Sequence, residues 1–204
     1  GTGDGCNTKI IKKERKEIYL DKITYKSIKK MPEVNAYIEQ GNRVLGILGY
    51  TEHSRGHAVK VAKTAGEILE KLGYNEHTVE LAQIAGYMHD MGNCVNRVDH
   101  AHSSALMAFQ MLREWKFPDE DIAAIVSAIG QHDEQTGTAV DAVSAALILA
   151  DKTDVRRNRV RNPIKENFDM HDRVNYAAVA SSLQVNVEKK VILLEIELDE
   201  EICS

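Results

Sequence analysis

Apolar residues recur every three or four positions through the middle of the chain, which is the spacing of one helix face. Pro32 suits a first helical turn, and Gly73 and the pair Pro118-Asp119 suit a helix end and a helix start. The pattern predicts a first helix from Pro32 and further helices at about 54–72, 76–89, 103–115, 119–131 and 141–154. Residues 32–155 are therefore expected to form a helical bundle with short connections.

The C-terminal part of the chain has a different pattern. Two segments, 182–187 and 191–198, flank a Glu-Lys-Lys turn, and the second alternates Leu194, Ile196 and Leu198 with acidic residues. This alternation predicts a two-stranded β-hairpin. Because a lone hairpin is marginal in water, it must pack on the helices, gain a strand from the N-terminus or pair with another subunit as a homodimer.

The pattern divides the chain into three parts. Residues 1–25 are expected to be a flexible leader with a short strand possible in its second half, for example at Ile23-Thr24-Tyr25. Residues 26–168 are expected to form the helical domain, and residues 169–204 a hairpin appendage. The fold class is therefore mainly α.

Composition and charge narrow the class of function. The 204 residues are 43% hydrophobic and carry a formal net charge of −5, which argues against general nucleic-acid binding but leaves a local basic pocket possible. Cys6, Cys94 and Cys203 form no paired pattern, so a reducing, cytoplasmic setting is expected. No apolar run approaches the roughly 20 residues of a membrane helix, and the first residues lack a signal-peptide core.

Seven of the eight histidines lie between positions 53 and 132. A lone helix histidine such as His57 is most often a hydrogen-bonded structural residue, but the pair His89-Asp90 ends an apolar helix and brings two metal-competent groups together. His132 ends another apolar helix and is also followed by an aspartate. Asp151 lies in the apolar segment Leu-Ala-Asp-Lys, where an unpaired carboxylate is costly unless a metal ion or a buried salt bridge compensates it.

In this order the residues resemble the HD superfamily of metal-dependent phosphohydrolases, whose pattern is a helix histidine, then His-Asp, then a distant aspartate. The resemblance covers about residues 50–165. Members with two metal ions have two further histidines, and the matching positions are His102 and His132, although His100 lies close by. His102 is preferred because it immediately precedes the apolar pattern of its helix. The implied metal ligands are His57, His89, Asp90, His102, His132 and Asp151.

The resemblance implies an HD-domain helical bundle with two divalent transition-metal ions, bridged by Asp90. A ligand set rich in nitrogen favours iron, manganese, cobalt or zinc over magnesium. Two ions roughly 3.5–4 Å apart would activate a water and clamp phosphoryl oxygens. Asp90, His53 and Asp133 are the candidate catalytic residues. The chain departs from the pattern at Asn93, where many members carry a lysine, which puts a phosphate contact from that position in doubt.

Basic residues cluster near the last ligand on an otherwise acidic chain. Arginine binds phosphate oxygens through two parallel hydrogen bonds, so the cluster suggests a phosphate pocket. The alternative is a solvated helix end whose cations complement the helix dipole. The candidate phosphate-binding residues are Arg97, Lys152, Arg156, Arg157 and Arg159.

The leading hypothesis is a phosphohydrolase that cleaves a phosphate ester or anhydride of a nucleotide or another phosphorylated small molecule. Two alternatives remain. A few members of the same superfamily use the six-ligand site, loaded with two irons, as an oxygenase. The other alternative is a non-catalytic signalling domain that keeps the fold.

Overall fold

The structure of the chain is a computed structural model that describes residues 23–162, 168 and 170–199. This part of the chain forms eight α-helices, two 3₁₀ turns and one two-stranded sheet. The predicted fold class, a mainly helical bundle with a C-terminal hairpin, is confirmed. The helices are α1 (Tyr25–Ile28), α2 (Pro32–Ile47), α3 (Arg55–Lys71), α4 (Glu76–Met88), α5 (His100–Glu114), α6 (Asp119–Gly130), α7 (Ala142–Lys152) and α8 (Met170–Ala177); the 3₁₀ turns are Met91–Cys94 and Arg157–Arg159.

Local side-chain chemistry sets the ends of these helices. The Ser54 hydroxyl accepts a hydrogen bond from the Gly56 amide at the start of α3. The side-chain Oδ1 atom of Asn75 accepts one from the Thr78 amide at the start of α4. Gly73 has a φ of 82°, the left-handed conformation that ends α3. These starts and this end agree with the predicted boundaries to within about one residue.

The core lies where α3 and α4 cross and where α6 and α7 pack beside them. Gly86 permits the close crossing, because a β-carbon at this position would lie 2.8 Å from the Ala62 α-carbon of α3. The last turn of α4 is buried on every side, including Tyr87 and Met88. Any residue that directly follows α4 is therefore delivered into the interior.

Helix α5 begins at His100, three residues before the predicted start. Asp99 adopts a left-handed φ of 57° and turns the chain into the helix. The first turn of α5 packs against the 3₁₀ turn Met91–Cys94, where the Gly92 amide donates to the Ser104 hydroxyl at 2.7 Å. The early start was hidden because this turn is largely polar in sequence, although Ala101 and Ser104 are buried.

The C-terminal hairpin consists of β1 (Ala178–Asn186) and β2 (Val191–Leu198), paired antiparallel with Leu183 opposite Leu194. Leu183 and Val185 of β1 pack against the helical core. The hairpin therefore takes the first of the three options considered above, packing on the helices. Helix α8, which the sequence pattern did not indicate, joins the helical body to the hairpin.

At the N-terminal side the structure differs from the expected strand. Tyr25 begins the short helix α1 instead. The Thr24 amide donates a hydrogen bond to the Ser27 hydroxyl, and this bond caps the first turn of the helix. Residues 1–22, which hold the rest of the expected leader, lie outside the described residues. In the described part of the chain, no helix combines the length and the apolar character needed to cross a membrane.

Candidate metal centre

The ends of five helices bring four histidines and two aspartates together in the interior. His57 lies in α3, His89-Asp90 follows α4, His100 begins α5, His132 lies just beyond α6 and Asp151 lies in α7. All four histidines are at most 4% exposed and Asp90 is 7% exposed. Residues far apart in sequence thus form one buried polar cluster.

One half of the cluster forms around the Oδ2 atom of Asp90. The His57 Nε2 atom lies 3.6 Å from this oxygen and 3.2 Å from the Asp151 Oδ1 atom. The His89 Nε2 atom lies 3.2 Å from Asp90 Oδ2 and 3.6 Å from Asp151 Oδ1. Two imidazoles therefore face two carboxylates at distances that one metal ion between them would bridge.

The other half forms around the Oδ1 atom of the same Asp90 carboxylate. The Nε2 atoms of His100 and His132 lie 3.7 Å and 3.9 Å from this oxygen and 3.2 Å from each other. In each half, one ligand atom from each of three residues lies within 4.8 Å of the others, the triads being His57, His89, Asp90 and Asp90, His100, His132. Asp90 is the residue that both triads share.

In each of the four histidine rings, the contact made by the Nδ1 atom fixes the direction in which the Nε2 atom points. The Nδ1 atom lies close to a hydrogen-bond acceptor in all four histidines: the Asp154 carboxylate for His57 and the main-chain carbonyls of Gly86, Arg97 and Ile129 for His89, His100 and His132. A proton on Nδ1 satisfies that acceptor and leaves the Nε2 lone pair free. Four lone pairs are then directed at Asp90.

This arrangement fits a metal ion. The Nε2 atoms of His57 and His89 and the Oδ2 atom of Asp90 are buried and have no hydrogen-bond partner. Buried polar atoms are normally satisfied, and a cation bound between these three atoms would satisfy all of them. Imidazole nitrogens with carboxylate oxygens are ligands that suit first-row transition metals.

The pKa values of His89 and Asp90 also indicate that positive charge is stabilised in the cluster. Burial by itself would lower the pKa of His89, but the carboxylates of Asp90 and Asp151 outweigh it and raise this pKa to about 10. Burial would likewise raise the pKa of Asp90, but His89 and other neighbouring imidazoles hold it well below its usual value. The cluster therefore retains a proton unless another cation takes its place.

Asp154 and Asn93 support the cluster from behind. The Asp154 Oδ2 atom lies 2.8 Å from His57 Nδ1, and the same carboxylate accepts two hydrogen bonds from the Arg156 guanidinium. Asn93, where the resembled pattern often has lysine, is fully buried and donates to the Asp90 Oδ1 atom at 2.8 Å. Asn93 therefore holds the Asp90 carboxylate in place.

The structure does not bring His102, the predicted ligand, to the cluster and places His100 there instead. The His102 side chain is 59% exposed and lies 3.7 Å from Asp99 on the surface. Two residues along an α-helix rotate a side chain by about 200°, so the two histidines face opposite ways. The other five predicted ligands are brought together as expected.

His53 and Asp133 line the cavity above the cluster but belong to neither triad. His53 precedes the start of α3, and its ring contacts the His57 ring with centroids 5.3 Å apart. Its Nδ1 atom lies 2.8 Å from the Thr51 carbonyl, and burial lowers its pKa to about 3. His53 is therefore an uncharged group on the wall of the cavity at neutral pH.

Three of the five predicted phosphate-binding residues also line this cavity: Arg97, Lys152 and Arg159. Lys152 forms an ion pair with Glu134 at 2.7 Å, and Arg159 donates to the main-chain carbonyls of Glu52 and Asp154. The Arg97 guanidinium lies over the Tyr50 ring and 3.3 Å from His100 Nε2. The cavity encloses about 640 Å³, enough for a ligand of nucleotide size.

Arg156 and Arg157 do not face the cavity, which corrects their predicted role. The Arg156 guanidinium is bound by both oxygens of Asp154 at 2.7 and 3.0 Å. Arg157 points to the hairpin side, where it donates to the Tyr176 carbonyl and to Asp199. These two arginines hold the fold around the cluster together instead.

Comparison with known proteins gives a family match across this region. The model of the family described as HD domain matches residues 55–179. Uncharacterized protein MJ1020 of Methanocaldococcus jannaschii is 28% identical over 89% of this chain and 78% of its own length. Ribonuclease Y of Fervidobacterium nodosum is 28% identical over 71% of this chain, and that of Streptococcus agalactiae is 30% identical over 62%.

The ribonucleases are much longer than the matched segment, which covers 28% and 23% of their lengths. A solved structure, described as a predicted HD superfamily hydrolase from an uncultured Thermotogales bacterium, is 24% identical, with a TM-score of 0.48 over 61% of this chain and 67% of its own. The family match spans more than half of the present chain and includes every member of the buried cluster. The chain therefore belongs to the HD domain family.

Proposed function

We propose that this chain is a metal-dependent phosphohydrolase that cleaves a phosphate ester or anhydride with a metal-activated water. The observation that carries the proposal is the convergence of four imidazole Nε2 atoms and two carboxylates in one buried cluster, next to a cavity with an arginine on its wall. Membership of the HD domain family and the similarity to ribonuclease Y support hydrolysis as the class of reaction.

Asp90 is proposed to bridge two ions, one through each carboxylate oxygen. His57, His89 and Asp151 would complete the site at Oδ2, and His100 and His132 the site at Oδ1. Ions bound there would lower the pKa of a water and neutralise charge on phosphoryl oxygens. The nitrogen-rich ligand set favours iron, manganese, cobalt or zinc.

The charges of the cavity wall support a phosphate substrate only together with such ions. Carboxylates outnumber cations on the wall: Asp90, Asp99, Asp133, Glu134 and Asp151 face Arg97, Lys152 and Arg159, while Asp154 is already paired with Arg156. An anion would therefore be repelled without bound metal. Lys152 is already paired with Glu134, whereas Arg97 forms no ion pair within the described residues. We infer that Arg97 contacts the phosphate, since its planar guanidinium suits phosphate oxygens.

His53 and Asp133 are proposed to handle the water and the leaving group. With Nδ1 bonded to the Thr51 carbonyl, the His53 Nε2 atom is an acceptor that can orient a substrate hydroxyl or a water. Its low pKa makes His53 a weak base. Asp133, which lines the same cavity, is therefore proposed to accept the proton of the attacking water. Neither residue is needed to hold metal.

The test is an activity and metal assay on the purified protein, reconstituted with manganese under anaerobic conditions. The substrates are nucleoside mono-, di- and triphosphates and other phosphorylated metabolites. Asp90→Ala removes the shared ligand and should lose both metal and activity, whereas His53→Ala should keep its metal and change only rate or affinity. Fewer than one bound ion per chain in the reconstituted wild type would contradict the proposal and favour the non-catalytic alternative.

Oxygen dependence separates the phosphohydrolase from the dinuclear-iron oxygenase. Hydrolysis uses water alone, so full turnover without oxygen is expected with manganese. If the protein is inactive without oxygen and becomes active only with iron and air, the proposed reaction is wrong.

A second candidate substrate is an RNA phosphodiester bond. The observation that favours it is the likeness to ribonuclease Y over 71% of this chain. A 5′-labelled oligoribonucleotide, assayed beside the mononucleotides, distinguishes the two. Cleavage of the oligonucleotide at rates above those for every mononucleotide would make RNA the substrate class.

A further inference from the structure

The outer strand of the hairpin, β2, exposes an unusual number of large apolar side chains. Such residues normally gain free energy when they leave water, so a row of them on one strand indicates a surface that another protein covers. The exposed members are Val191 (49%), Ile192 (37%), Leu193 (47%), Leu194 (38%) and Leu198 (47%).

The exposed residues continue a face that is already used for packing. In the hairpin register Leu183 lies opposite Leu194 and Val185 lies opposite Ile192, so these four side chains share one face of the sheet. The β1 members of this face pack against the helical core. The β2 half of the same face extends beyond that support.

The outer edge of β2 also has free hydrogen-bonding capacity. Within the described residues the sheet has two strands only, so no third strand pairs with this edge. Natural edge strands are usually protected by a bulge or by charges that discourage pairing. The irregularity of this hairpin lies at Ala178/Ala180, at its base, and leaves the middle of β2 regular. The charges of β2, Glu195 and Glu197, lie on the face opposite to that of Leu194, so the apolar face carries none.

The hairpin is anchored firmly enough to present this edge. The Ser181 hydroxyl donates to the Thr153 carbonyl at 3.1 Å, which ties β1 to the end of α7. Asp199, directly after β2, accepts a hydrogen bond from Arg157 at 3.0 Å. Both strands are therefore tied to the helical body at their base.

We propose that β2 pairs antiparallel with β2 of a second copy of this chain and joins two hairpins into one four-stranded sheet. A two-fold axis perpendicular to the sheet keeps the helices of both copies on the same side and requires that paired residues share a face. With Leu194 on the axis, Leu194 lies opposite Leu194 of the second copy and Ile192 lies opposite Ile196. On the other face, Leu193 and Val191 lie opposite Glu195 and Glu197 of the second copy.

Charge selects this register among the symmetric ones. An axis at Glu195 would set two glutamates directly opposite each other, which is destabilising. An axis at Leu193 would shorten the paired segment, because Lys190 lies in the turn with a left-handed φ of 53°. The axis at Leu194 pairs seven residues of β2 (191–197) and opposes no like charges. A second copy in this register therefore covers the β2 half of the apolar face without setting like charges opposite each other.

The test is the molar mass of the full chain by light scattering during size-exclusion chromatography at about 100 µM. The wild type is expected to elute at twice the 22.8 kDa of one chain. Leu194→Lys places two like charges on the axis and should give a monomer. Leu193→Lys, the matched control of similar exposure, faces Glu195 of the second copy and should remain a dimer.

A charge-swap experiment tests the register directly. Leu194→Glu should also be monomeric alone, and a tagged Leu194→Lys chain should capture it when the two are mixed. Helical circular dichroism and metal content should stay at wild-type values in all variants, because these side chains are exposed and lie outside the metal centre. A monomeric wild type, a Leu194→Lys protein that remains dimeric, a monomeric Leu193→Lys, or no capture in the mixture would each overturn the proposal.

Discussion

The four histidines of the centre are not held in the same way. Main-chain carbonyls fix His89, His100 and His132, and these acceptors remain as long as the helices do. His57 depends on a side chain, Asp154, whose carboxylate is completely buried and also binds Arg156. Burial alone would raise the pKa of Asp154, but hydrogen bonds from His57 and Arg156 hold it well below its usual value. The orientation of His57 therefore relies on one charged residue.

Replacing Asp154 with asparagine should weaken metal binding without removing a ligand. The amide lacks the charge that favours Nδ1–H of His57 and the paired hydrogen bonds with Arg156, so we expect a loss of affinity of about 10–100-fold. Competitive titration with a chelating indicator measures it. Asp121→Asn is the control, because Asp121 bonds His77 at the same 2.8 Å distance outside the centre. Equal losses in both variants would argue against a specific role for Asp154.

His100 and His102 offer a matched pair at the other half of the centre. His100→Ala removes a buried imidazole directed at Asp90 Oδ1, so we expect the metal content to fall by about one ion per chain and activity to drop at least ~100-fold. His102→Ala changes only an exposed side chain and should match the wild type. Mass spectrometry measures the metal content of both variants, and the phosphatase assay measures their activity. The reverse pattern would restore the assignment made from sequence.

At the scale of elements, the 3₁₀ turn Met91–Cys94 connects the two halves of the centre. It follows His89-Asp90 directly and packs under the first turn of α5, which carries His100. Gly92 makes the contact possible, because a β-carbon there would lie 2.5 Å from the Ser104 amide nitrogen and still closer to the His100 carbonyl oxygen. The positions of Asp90 and of His100 in the next helix are thus set by one close backbone approach.

Gly92→Ala should therefore be destabilising and should lower metal affinity at the same time. Both atoms that it meets are main-chain atoms, which cannot move aside as a flexible side chain would, and we expect a loss of about 1–3 kcal/mol in the free energy of unfolding. Urea unfolding measures this loss. Gly130→Ala is the control, since its β-carbon would meet Ala105 at an ordinary 3.7 Å. A Gly92→Ala protein as stable as this control would refute the steric argument.

For the whole molecule, the centre joins α3, α4, α5, α6 and α7, which together hold the core. Its carboxylates and free nitrogens are buried, and a buried charge without compensation opposes folding. A bound cation removes that cost and adds its own binding free energy to the folded state. The metal and the helical bundle are therefore expected to stabilise each other.

Chelation should lower the thermal stability of the metal-loaded protein. When the free metal concentration is about 100 times the dissociation constant, binding adds about 2.7 kcal/mol to the free energy of unfolding. For a chain of this size that corresponds to roughly 5–10 °C in melting temperature. Scanning calorimetry with and without chelator measures the change. The Asp90→Ala variant should melt at the same temperature in both conditions, and a similar chelator effect on it would show that the stabilising ions bind elsewhere.

The sequence alone determined the helical periodicity, the ends of most helices, the hairpin and five of the six residues of the buried cluster. These features depend on local rules: apolar spacing, capping residues and a His-Asp pair directly after an apolar helix. His89-Asp90 and His132 could be found because each directly follows or ends a strongly apolar helix, whereas His57 was assigned only through the resemblance to the HD superfamily. Their relative order then matched a known pattern.

Only the tertiary structure decided between His100 and His102, because both precede the same apolar stripe and the choice depends on how α5 is rotated against the turn at Gly92. It also decided which basic residues face the cavity. Arg156 and Arg157 are close to Asp151 in sequence, yet Arg156 binds Asp154 behind the cluster and Arg157 binds Asp199 beside the hairpin. Such ion pairs depend on how elements of the fold pack against one another. A local sequence pattern does not predict this packing.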